Sequence, residues 1–108
     1  MLPSGVRIFL CTERQDMRRS FDRLALVVQQ TLKDDPQNGA LYVFVGKSNT
    51  RVKVLWWDRN GFCLLYKRLH RALFQIPENG ESNCAALKID GDTFSRLMDG
   101  VEKKKVVH

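Results

Sequence analysis

The stretch RVKVLWWDRNGFCLLYKRL, Arg51 to Leu69, sets two β-rich runs on either side of an Asn-Gly pair. Val, Leu, Trp, Phe and Tyr have shapes that fit a pleated surface, and Asn60-Gly61 supplies two residues that tolerate positive φ. The segment therefore predicts a β-hairpin turning at Asn60-Gly61. Side chains alternate along each strand, so pairing Trp57 near Phe62 puts Arg51, Lys53, Leu55 and Trp57 on one face with Phe62, Leu64, Tyr66 and Arg68. That face is half basic and half aromatic. The opposite face collects Val52, Val54, Trp56, Cys63, Leu65 and Leu69, interrupted by Lys67, and reads as core. A bulge at Gly61 would swap the second strand's faces.

Charge is concentrated on the same stretch. The chain of 108 residues carries a formal net charge of +6, and Arg51, Lys53, Arg59, Lys67, Arg68 and Arg71 against Asp58 place +5 of it between positions 51 and 71. A positive field so localised points to a polyanionic partner, nucleic acid first and a membrane surface second. Lysine and arginine also protect exposed sheet edges from aggregation, and composition alone leaves that reading open.

The flanks read as follows. Val6 to Cys11 is a short strand, and a helix is expected from about Asp16 to Leu32, with Asp16 as N-cap and Met17, Phe21, Leu24, Val28 and Leu32 as its buried stripe. Arg18 and Asp22 stand four apart on the wetter side, at ion-pair spacing. The DDPQNG cluster, Asp34 to Gly39, stops this helix and leads into a nearly all-apolar strand at Leu41 to Val45. Gly46 to Thr50 is a polar turn into the hairpin, so three consecutive strands form an antiparallel meander. Phe74 to Pro77 lies along the sheet, Glu78 to Asn83 is a solvated loop, and Ala85 to Ile89 is a short strand candidate. Asp90 or Asp92 then caps a short helix with Phe94, Leu97, Met98 and Val101 facing inward and Gly100 near its end. The predicted fold is α+β: an antiparallel β-meander, one long helix packed on a face, and a short C-terminal helix. It forms a single domain over residues 1–101, followed by a basic tail over 102–108.

Four segments carry a family likeness: DMRRSF at Asp16 to Phe21, GALYVF at Gly39 to Phe44, the hairpin, and LMDGV at Leu97 to Val101. In this order they resemble the small accessory protein, often called TnpB, encoded by the second open reading frame of the bacterial insertion-sequence family numbered sixty-six. Ser20 and Arg23 stand where that family usually shows glycines, and RALFQIP at Arg71 to Pro77 lacks its usual glycine and tryptophan. The resemblance implies a non-catalytic accessory protein of transposition, working beside a separate transposase that does the cutting.

The residues themselves narrow the chemistry. Apolar residues make up 44% of the chain and aromatics 9%, which favours a packed core over disorder. No apolar run approaches the roughly 20 residues that span a bilayer, and the N-terminus turns charged too early for a secretory signal, so a cytoplasmic location and no membrane partner are expected. Cys11, Cys63 and Cys84 lack paired short spacing and read as reduced thiols used as small hydrophobes, and only His70 and His108 would be left to join a metal site. No cofactor, metal site or catalytic residue is expected. Asp16, Asp58 and Asp90 have no sequence reason to converge, although a small nuclease is a third reading that a metal-dependent cleavage test would settle.

The candidate nucleic-acid surface comprises Arg51, Lys53, Trp57, Tyr66, Lys67, Arg68 and Arg71. Arg18 and Arg19 are added because arginines beside helix-start amides can hold a phosphate; the alternative there is a cap with solvated arginines. Trp56 and Trp57 are adjacent, so one faces the core while the other either stacks a base or is covered by a helix or subunit. The partners expected are DNA, the transposase of the same element, and a second copy of the chain as a possible homo-oligomer. The competing reading is a protein-interaction module that binds the transposase or itself, without direct DNA contact.

Overall fold

The computed structural model describes residues 5–77 and 85–102. Seven strands and two helices follow in the order β1 (Ile8–Gln15), α1 (Phe21–Gln30), β2 (Leu41–Gly46), β3 (Arg51–Asp58), β4 (Gly61–Arg68), β5 (Ala72–Leu73), β6 (Ala86–Ile89), α2 (Gly91–Asp99) and β7 (Val101–Glu102). The expected meander β2-β3-β4 is present, but it belongs to a larger mixed sheet of order β4-β3-β2-β1-β6. β1 runs parallel to β2, with α1 in the connection between them, and β6 runs antiparallel to β1. β5 and β7 form a separate two-stranded ribbon that the hydrophobic pattern did not suggest.

The central strand explains the layering. Every residue of β2, LYVFVG, is buried, as expected of a strand covered on both faces. Leu41, Val43 and Val45 join Ile8, Leu10, Val52, Val54, Phe74, Ile89 and Leu97 in one core, which α2 covers. Tyr42 and Phe44 join Cys11, Leu24, Ala25, Val27, Val28 and Leu55 in a second core beneath α1. The face expected to be basic and aromatic is therefore half roofed, because Leu55, Phe62 and Leu64 pack in the second core.

Helix α1 is ten residues long, and its N-cap falls at Ser20, four residues later than the expected Asp16. Residues 16–19 are held in a turn in which Arg18 N donates to Asp16 Oδ1 at 2.9 Å and Arg19 N to Asp16 O at 3.1 Å. Ser20 is the N-cap, in an extended conformation and without a side-chain capping bond. Phe21 is 43% exposed and so is not the centre of the buried stripe, which runs through Leu24, Ala25, Val27 and Val28. The helix ends where Lys33 turns to φ 57 and Asp34 N returns to Val28 O, a left-handed terminus of the usual kind.

In the hairpin the expected register holds, with Trp57 opposite Phe62, Lys53 opposite Tyr66 and Arg51 opposite Arg68. The loop is displaced by one residue. Asp58 pairs with Gly61, leaving Arg59-Asn60 as the two-residue connection, and Arg59 takes the positive φ of 49°. At the C-terminal helix the Asp90 side chain accepts from Thr93 N at 2.7 Å, as a cap should. Leu97 faces the core with Phe94 and Met98 against it, but Val101 lies in β7 and is exposed. The Glu78–Asn83 loop lies outside the described residues, as does the basic tail beyond Glu102.

Candidate nucleic-acid interface

The C-terminal ends of the parallel strands β1 and β2 lie together, and the antiparallel pairing of β3 and β4 brings the first residue of one and the last of the other to the same end. Arg51 and Arg68 are direct cross-strand partners there. Both are exposed, and neither side chain has a hydrogen-bond or ion-pair partner among the described residues. Like charges directly opposite on a sheet destabilise it, a repulsion that an anion placed between them would offset. Arg51, Tyr66 and Arg68 line a shallow hollow of about 220 Å³.

Arg51 also lines a second hollow, of about 430 Å³, together with Gln15, Asp16, Met17, Arg18, Lys47, Ser48 and Thr50. Its two walls are the segment after β1 and the turn between β2 and β3. An irregularity in β1 between Cys11 and Gln15 carries the chain across to Gly46. Met17 then sits so close over Gly46 that a Cβ there would meet Met17 Cγ at 2.7 Å. Gly46 is thus required by the approach of one wall to the other. Asp16 forms the only ion pair among the described residues, accepting from Arg18 Nε at 3.0 Å and from Nη2 at 2.6 Å. The guanidinium and amide of Arg18 hold the Asp16 carboxyl well below the usual carboxylate range.

Lys53, Arg19, Lys67 and Trp57, also expected in the site, are engaged elsewhere. Lys53 is only 6% exposed, its ammonium donating to Arg19 O at 2.6 Å and lying 4.7 Å from the centre of the Tyr66 ring. It ties the start of α1 to the sheet. Arg19 donates its guanidinium to Gln15 Oε1 at 2.8 Å. Lys67 points to the other face and donates to Met98 O at 2.8 Å, where a cation complements the carbonyl end of α2. Trp57 packs edge-to-face on Phe62 near the hairpin tip, six strand positions and so about 20 Å from Arg51. It does not join the basic cluster. Arg71 is exposed just beyond β4, in a segment tied to the same end by Leu69 N donating to Thr50 O.

Lys47, Ser48 and Thr50 were missed as site residues because GKSNT reads simply as a polar turn. Their one signal in the sequence is a lysine and two hydroxyls immediately before Arg51.

Comparison with known proteins agrees with the family likeness of the four segments. The family model described as IS66 Orf2 like protein matches residues 6–108, and the chain belongs to that family. Among curated proteins it is 42% identical over 104 residues to the uncharacterized protein y4hO of Sinorhizobium fredii, covering 94% of this chain and 88% of that one. It is 31% identical over 102 residues to the uncharacterized protein y4jC of the same organism, covering 94% and 85% respectively. No solved structure matches.

Proposed function

From this family membership, we propose that the protein is a non-catalytic accessory factor of DNA transposition that binds DNA through the basic end of its sheet and assists a separate transposase. The observation that carries the reading is the directly opposed Arg51 and Arg68, whose side chains have no partner among the described residues, with the exposed Tyr66 two positions before Arg68 on the same face and the hollows beside them. Guanidinium groups suit phosphate geometry, and an aromatic face stacks on a base or sugar. The acidic residues serve local structure: Asp16 holds Arg18, Asp58 closes the hairpin at the opposite end, and Asp90 caps α2. Such a scattered set supports a binding role rather than metal-dependent cutting.

The test is fluorescence anisotropy of a labelled duplex against salt concentration. If the surface neutralises about four phosphates, the logarithm of affinity falls with the logarithm of salt at a slope near ~3.6. Arg51→Ala with Arg68→Ala flattens that slope by up to about 2. An affinity indifferent to both salt and this double substitution removes the DNA reading. A protein-interaction role then takes its place, supported by β4, an edge strand of the sheet with Leu65 and Tyr66 exposed.

A further inference from the structure

We propose that the hollow between the β1–α1 connection and the β2–β3 turn is a seat for a single phosphate group of DNA, held by Lys47, Arg18 and Arg51 with help from the hydroxyls of Ser48 and Thr50. This rests on the DNA-binding reading and adds to it a specific pocket beside the Arg51–Arg68 ridge.

The chemistry follows from the lining. Lys47 is exposed and its ammonium has no partner among the described residues, which also holds for Arg51. Ser48 Oγ and Thr50 Oγ1 lie 2.7 Å apart, so one hydroxyl proton is used between them and the pair keeps one to give outward. Asp16 is the single carboxylate in the lining. Its charge is matched by Arg18, whose guanidinium still has N–H donors after binding it. The hollow therefore has a surplus of two positive charges and donors of the kind that cradle a phosphate. The two walls meet at Met17 over Gly46, and Lys53 pins the first wall through Arg19 O. The groups are thus carried on elements whose separation is held, as a preorganised site requires.

Asp16 gives the seat a signature that a merely structural role would not produce. Asp16→Asn retains an oxygen to accept from Arg18 N but removes the negative charge, freeing the Arg18 guanidinium for the anion. Binding of duplex DNA should tighten, by about eightfold at roughly 0.1 M monovalent salt if one further charge is gained, and the salt slope should steepen by about 1. Lys47→Ala should do the reverse, weakening binding about eightfold and flattening the slope by about 1. Ser48→Ala with Thr50→Val should weaken binding with little change in slope, because no charge is lost.

The outcomes separate cleanly when the backbone amides of residues 47–50 are followed during titration with duplex DNA and, separately, with pyrophosphate. Shifts with both probes, reduced in Lys47→Ala, assign the hollow to phosphate chemistry in general; shifts with duplex alone assign it to the DNA backbone. No shift with either, together with a Lys47→Ala affinity equal to the parent's, overturns the seat. If Arg51→Ala with Arg68→Ala still weakens binding and flattens the salt slope in that case, the broader DNA reading survives without the pocket. A parent chain that binds no DNA at low salt removes both.

Discussion

Arg51 and Arg68 stand directly opposite each other on the β3–β4 ladder, with no acidic partner among the described residues. Opposed like charges cost up to about 1 kcal/mol on a sheet. Arg68→Ala should therefore leave the melting temperature unchanged or raise it slightly at low salt, while DNA affinity falls. A clear drop in melting temperature would mean that the arginine has a structural partner.

Lys53 behaves in the opposite way. It is buried, and its ammonium bonds the carbonyl of Arg19, so Lys53→Met should cost about 1–3 kcal/mol by urea unfolding, the penalty for an unmet buried polar group. A DNA-binding defect in this variant would report the loss of the tether rather than of a phosphate contact.

Leu24→Ala and Phe21→Ala test which face of α1 carries the core. Leu24 is fully buried and should cost about 2–5 kcal/mol on truncation. Phe21, nearly half exposed, should cost only about 1–2 kcal/mol for the part of the ring that is covered. Equal losses in calorimetry would contradict the observed helix orientation.

Gly100 ends α2 with φ 75°, and a Cβ there would lie 2.5 Å from Leu69 Cδ1 and 3.1 Å from Leu73 O. Strain and overlap act together. Gly100→Ala should destabilise the protein by at least about 1–3 kcal/mol, and chemical denaturation gives the value directly.

Asp34 links the helix end to the sheet, accepting from the Tyr42 hydroxyl at 2.8 Å and from Asn38 Nδ2 at 3.2 Å. The Tyr42 hydrogen bond above all holds its carboxyl below the ordinary value of 3.8. The folded pKa is depressed, so this stabilisation is complete above the unfolded value and is lost as pH falls through the folded one. Tyr42 shows the converse, its hydroxyl pushed up mainly by burial and next by Asp34, so its share is complete below the ordinary 10.0 and is lost as pH rises through the raised folded value. Asp34→Asn should flatten the acid limb of the stability profile below about pH 4 in a pH series of urea melts.

The hairpin register, the buried β2 strand and the Asp90-capped helix were legible in the sequence because each rests on local periodicity or on a cap a few residues from its target. The family was legible for a related reason, since its motifs are contiguous. Where α1 begins was not, because the Asp16–Arg18 turn and the Lys53 tether remove four residues from the helix through contacts that no periodicity encodes.

The same distinction runs through the site. Sequence determined that positive charge gathers between positions 51 and 71 and that Arg51, Lys53, Tyr66 and Arg68 share a face. It could not say which cations remain available to a partner. Helix α1 covers one face and α2 the other, so Lys53 and Lys67 are taken up by the carbonyls of Arg19 and Met98, while Arg51 and Arg68 stay open and Lys47 joins them from the preceding turn. An ammonium on a strand bonds whatever element packs over it, and only the tertiary arrangement decides which element that is.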